Sequence, residues 1–153
     1  MSVVVRKCTV GEIEGAPNFG ALIKEYADEC AVAGLPMPER SLPAVYRQLE
    51  TSGALDVFGA YDDELIGFIS MLQYPSAHYG VPLGVSESFF VSKEKRGTGA
   101  GSMLRKIIKD RAKERGLGGI LLTAPVNGPL AVVLEKSDDC VETHRVFLMK
   151  VAS

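Results

Sequence analysis

A glycine-rich turn, Arg96-Gly97-Thr98-Gly99-Ala100-Gly101, separates two segments of different periodicity. Before it, Val85 to Val91 alternates as a strand does; after it, Ala100, Met103, Leu104, Ile107 and Ile108 recur at helical spacing, and Gly116 stands where that helix should stop. A strand that feeds a helix through such a turn points to an α/β chain. It also leaves several backbone N–H groups unpaired and pointing one way. Glycine allows positive φ there and lets an anion approach without meeting a Cβ atom. The aligned peptide dipoles add partial positive charge, so the turn suits a phosphate.

Three glycine-loop chemistries compete for this turn. A nucleoside-triphosphate loop needs a Lys-Ser or Lys-Thr pair after its glycines, and none follows here. A dinucleotide fold needs Gly-x-Gly-x-x-Gly/Ala and an acid about 20 positions on. Ser102 takes the third glycine position, and the next strand, Ile120 to Ala124, carries no acid. The pattern that fits is Arg/Gln-x-x-Gly-x-Gly/Ala, met by Arg96, Gly99 and Gly101. With its preceding strand and following basic helix, it resembles the coenzyme A pyrophosphate loop of the GNAT superfamily of acyl-CoA N-acyltransferases. An ordinary glycine-rich strand-to-helix connection is the alternative.

Charge agrees with a polyanionic ligand. Residues 93–115 hold nine Lys/Arg against three acids, net +6, whereas the remainder is net −8. A basic island in an acidic chain suits coenzyme A. Lys106, Lys109 and Lys113 also read as a solvated outer face that complements the helix dipole. The island has no aromatic residue for base stacking, which argues against nucleic acid.

At 153 residues, 46% hydrophobic and 24% charged, the chain suits one domain, residues 1–153, with a single sizeable core. It shows no apolar run of membrane-spanning length and no signal-peptide stretch at Met1 to Lys7, so a cytoplasmic, membrane-free protein is expected. Cys8, Cys30 and Cys140 lack metal-ligand spacing, and His78 and His144 lie far apart, so no metal site is expected.

Val3 to Val10 reads as an opening strand. A helix carries Phe19, Leu22, Ile23, Tyr26, Ala27 and Cys30 on one stripe. After the loop Pro36 to Glu39-Arg40, Ser41 is the expected N-cap of a second helix that buries Leu42, Val45 and Leu49. Leu55 to Tyr61 and Leu65 to Tyr74 form a hairpin across Asp62-Asp63-Glu64, and Pro75 to Gly84 reads as a loop. The signature strand and helix follow, then a strand Gly119 to Ala124, a helix Leu130 to Lys136 and a final alternating strand Val141 to Val151. Asn127 reads as a turn residue with Gly128.

This order, β-α-α-β-β-β-α-β-α-β, is similar to that of the GNAT fold over nearly the whole chain. The resemblance implies a mixed, splayed sheet with helices on both faces, and acetyl-CoA inserted between the fourth and fifth strands as acyl donor. It assigns the pantetheine arm to the backbone of Phe89, Phe90 and Val91. It gives the pyrophosphate to the loop Arg96, Gly97, Thr98, Gly99, Ala100, Gly101 and Ser102.

Acetyl transfer to a primary amine, from a small molecule or a peptide, requires a base for the ammonium and a proton for the thiolate. Family members place a glutamate four residues before the valine that ends the fourth strand, the position of Glu87. Strict alternation puts Glu87 on the face of Phe89 and Val91. The family tyrosine of the last helix is replaced by Leu134, which cannot donate a proton. Tyr79, Ser88, water or the ammonium itself are the alternatives. The chain has room for one strand after the last helix where the family has two, which leaves the acceptor site open or completed by a second subunit, as in a homodimer. Glu39, Arg40, His78 and Tyr79 are the polar acceptor-site candidates. A coenzyme A-binding module without catalysis is the competing reading, and a nucleotide-dependent oxidoreductase a third.

Overall fold

The computed structural model describes residues 2–152. Five strands form one sheet in the order β1-β2-β3-β4-β5. They are β1 (Val4–Cys8), β2 (Leu55–Asp62), β3 (Glu64–Ser76), β4 (Val81–Val91) and β5 (Ile120–Leu121). The first four pair antiparallel, and β5 joins β4 in parallel. The helices are α1 (Val10–Glu14), α2 (Phe19–Cys30), α3 (Ala44–Thr51), α4 (Ala100–Glu114) and α5 (Pro129–Glu135).

Alternation along the strands builds a core on each face. Val57, Phe68 and Phe90 pack with Ile13, Phe19, Leu22 and Ile23 of α1 and α2. Phe58, Ile69, Met71 and Val91 pack with Leu104, Ile108 and Ala112 of α4. Helix α4 ends as expected at Gly116, whose φ is +68°. Leu117 N–H donates to Ala112 O at 2.9 Å and Gly116 N–H to Lys113 O at 3.1 Å, which satisfies the last carbonyls. At the same end, Asp56 is buried against Arg111 (3.0 Å) and Arg115 (2.8 Å), tying α4 to β2.

Several expected elements differ. Val10 belongs to α1, a helix of five residues, and not to β1. Ser41 does not cap α3: Pro43 is the N-cap, and a proline holds the residue before it out of helical geometry. Val45 is consequently 49% exposed, and Tyr46 turns inward beside Leu42 and Leu49. The expected loop Pro75 to Gly84 is mostly strand, with Pro75 opposite Pro82 and a tight turn at residues 77–80. Residues 141–151 form no strand and are exposed throughout, because no sheet edge pairs with them.

Candidate functional site

Strand β4 is irregular where the chemistry is expected. Ser88 pairs with Ser70 and Ser86 with Met71, so Glu87 is an extra residue with no partner across the ladder. Such a bulge breaks the alternation of faces. Glu87 therefore does not share the side of Phe89 and Val91. Its exposed carboxylate acts on Tyr26 of α2 and Tyr46 of α3, pushing both phenols up, behind burial as the larger cause.

The bulge coincides with a parting of strands. Pairing of β4 with β5 covers only Gly84 with Ile120 and Val85 with Leu121. Ser86 makes the last link, accepting from Thr123 N–H at 3.2 Å and from Thr123 Oγ1 at 3.3 Å. Ser92 N–H donates to Ile66 O of the β3 side. Backbone groups alternate along a strand, so Phe90 also faces β3, while Phe89 and Val91 face the gap left by β5. Val91 O accepts from Arg96 Nε at 3.0 Å. The groups presented to the gap are thus Phe89 N–H and C=O and Val91 N–H. Phe90 is excluded from this role, and its ring is buried edge-on to Tyr26.

After a short 3-10 turn, Lys93–Lys95, the glycine loop opens. Gly97 and Gly99 have φ of +89° and +90°, and a Cβ on either would meet no atom within 4 Å. The space beside both glycines is therefore open. Thr98 shapes it, donating from Oγ1 to Lys95 O at 2.7 Å and accepting from Ala100 N–H at 3.4 Å. Ala100 is buried, and Gly101 sits over Phe89 and Val91. Among the described residues, the N–H groups of Gly97, Gly99, Gly101 and Ser102 have no protein acceptor. Four free donors at the N-terminus of a 15-residue helix fit a pyrophosphate. Arg96 is turned toward the protein, its Nε donating to Val91 O at 3.0 Å and its Nη2 to Glu29 Oε2 at 2.7 Å, which leaves Nη1 for a ligand. Ser102 borders a shallow groove with Arg105 and Lys109, both paired to Asp139.

The acceptor-side candidates are scattered. Glu39 and Arg40 are exposed on the loop before α3. His78 and Tyr79 meet edge to face in the β3–β4 turn, and Tyr79 Oη lies 3.3 Å from His144 Nε2. From Val81 to Glu87 the strand alone covers roughly 20 Å, so this pair lies away from the reacting end. Tyr79 is therefore removed as a proton donor. A partly enclosed cleft of about 160 Å³ lies instead under α1 to α3, lined by Ser88, the chain neighbour of Glu87, and by the two tyrosines on which Glu87 acts. Its floor is Ser70 and Ser88, whose hydroxyls are 2.8 Å apart, and Tyr26 and Tyr46 form one wall. A hydrogen bond from Ser88 partly opposes the effect of burial on the Tyr46 phenol. Tyr46, Ser70 and Met37 were not singled out by spacing. Two serines facing one another inside apolar strands were the available signal.

The acetyltransferase (GNAT) family model matches residues 21–132, which take in most of α2, the bulged strand, the glycine loop and the first half of α5. The chain belongs to the GNAT acetyltransferase family. Membership makes it an acyl-CoA-dependent N-acetyltransferase by class. Solved structures agree in fold over almost the entire length. A ribosomal-protein-alanine N-acetyltransferase from Brucella melitensis biovar Abortus 2308 superposes with a TM-score of 0.74 at 20% identity, covering 98% of this chain and 99% of that one. An aminoglycoside acetyltransferase, meta-AAC0020 from an uncultured soil metagenomic sample, solved with trehalose, gives 0.73 at 15% identity, covering 99% and 97%. AAC(6')-Iy, solved with a bisubstrate analogue built on coenzyme A, gives 0.73 at 17% identity with both chains fully covered. No curated protein is significantly similar in sequence.

Proposed function

We propose that this protein transfers an acetyl group from acetyl-CoA to a primary amine of a small molecule or peptide, by direct attack in a ternary complex. The observation that supports the reading is a conjunction on one strand. Within five residues β4 carries a bulged carboxylate, Glu87, and an unpaired edge at Phe89 and Val91, and it leads into an open cradle of amides. Acetyl-CoA supplies an activated acyl carbon with a thiolate leaving group. The free amides of Gly97, Gly99, Gly101 and Ser102 hold its pyrophosphate, and Phe89 and Val91 orient its arm along the gap. Glu87 takes one proton from the acceptor ammonium. The nitrogen then forms the new N–C bond as the C–S bond breaks. Its second proton ends on the thiolate, and the first leaves Glu87 for solvent. Leu134 contributes no proton, so this delivery runs through water or through the Tyr46 and Ser88 hydroxyls.

The reaction is assigned to the cytoplasm, in keeping with the free thiols of Cys8, Cys30 and Cys140 and with the lack, among the described residues, of a helix long and apolar enough to cross a membrane. Calorimetry with acetyl-CoA and thiol release in the presence of amines test the proposal together. Binding with turnover supports it, and binding without turnover on any amine makes the protein a coenzyme A-binding module. No binding removes the cradle assignment.

A further inference from the structure

The cleft under α1 to α3 has a chemistry of its own. Ile13, Phe19, Met37, Pro38, Leu42 and Phe68 supply its apolar walls, and no charged side chain lines it. Its polar groups are confined to the Ser70–Ser88 floor and the two phenols. The volume of about 160 Å³ is close to that of an apolar cavity that accepts a benzene ring. A polyol or polycation would leave most of its hydroxyls or ammonium groups unpaired there, at a cost that one neighbouring carboxylate does not offset. A single ammonium, by contrast, finds Glu87 adjacent to the floor residue Ser88. We propose that this cleft seats the apolar body of the acceptor, so the substrate class is a primary amine carrying one aromatic ring or a branched aliphatic group. This rests on the transfer reading above and narrows it.

The test uses the full chain with 2-phenylethylamine, isoamylamine, spermidine and sisomicin, measuring binding by calorimetry and, separately, thiol release from acetyl-CoA. The two apolar amines should bind, and kcat/KM for 2-phenylethylamine should exceed that for spermidine or sisomicin at least tenfold. Met37→Trp, on the partly exposed loop before α3, should raise KM for 2-phenylethylamine tenfold or more and leave acetyl-CoA affinity unchanged. Met37→Ala should favour the two-ring tryptamine. Binding of 2-phenylethylamine without turnover would keep the cleft and sink the transfer reading. Turnover of spermidine or sisomicin in preference to both apolar amines, or no binding of either apolar amine, would overturn the cleft assignment.

Discussion

Arg96 of the glycine loop and Glu29 of α2 form an ion pair at 2.7 Å, and the same guanidinium donates to Val91 O at 3.0 Å. The loop arginine therefore faces the protein and acts as a strut that holds the cradle against α2 and the end of β4. Arg96→Ala and Glu29→Gln should each weaken acetyl-CoA binding by a few fold. A double-mutant cycle should show coupling of about 0.5–1 kcal/mol for this partly exposed pair. If Glu29→Gln binds like the parent while Arg96→Ala loses ten-fold or more, Arg96 reaches the phosphate after all.

The glycines of the loop should separate by conformation. Gly97→Ala and Gly99→Ala place a side chain at positive φ and should cost about 1–2 kcal/mol of stability each, together with acetyl-CoA affinity. Gly101 has no positive φ, and a Cβ there meets Phe89 and Val91 at 3.9 Å, an ordinary contact. Gly101→Val should therefore remain folded and lose affinity by obstructing the cradle. Thermal melts alongside calorimetry distinguish the two kinds of loss.

Removing the Glu87 carboxylate should leave cofactor binding intact and slow acetyl transfer. Glu87→Gln is expected to lower the rate by about 10²–10⁴-fold, less as pH rises and the amine deprotonates unaided. Leu134→Tyr should raise the rate only if thiolate protonation limits turnover. A pH–rate profile of the three proteins on one amine decides both points; an unchanged Glu87→Gln profile would leave Glu87 a surface residue.

Asp56 sets an acid limit on stability. Burial alone would push its carboxyl up, but hydrogen bonds from Arg111 and Arg115 outweigh burial and hold it below the usual carboxylate range. A depressed folded-state pKa contributes stability that is present above the unfolded value, near 3.9, and lost as pH falls through the folded one. Asp56→Asn should destabilise the protein by about 1–3 kcal/mol at neutral pH, since both arginines lose their buried partner. It should also flatten the stability profile below about pH 4. Denaturant melts between pH 3 and 7 would show whether the acid slope survives the substitution.

Much of this architecture is legible in residue order because its signals are local. The stripe of Phe19, Leu22 and Ile23, the Asp62-Asp63-Glu64 turn and the stop at Gly116 each follow from a few neighbours. Helix α1 escapes periodicity because it has five residues, although Thr9 accepts from Glu12 N–H at 3.0 Å, a capping pattern visible in the residues themselves. What depends on partners is not legible. Alternation cannot reveal that Glu87 is surplus, because the register of β3 decides it. Composition likewise marks residues 141–151 as strand-forming without saying whose edge they would meet. The acceptor cleft is drawn from α1, α2, α3 and three strands, and no short window contains it.

Glu87 is the single residue of β4 for which the ladder with β3 has no counterpart. Take it out, and Ser86 and Ser88 would follow one another opposite Met71 and Ser70 as neighbours in an unbroken strand. Every buried side chain would keep its face. The straightened strand would run alongside β5 for longer, and the gap at Phe89 and Val91 would close. A chain shorter by this one residue would be a more regular sheet and a poorer vessel: the fold is complete without residue 87, and the opening is not.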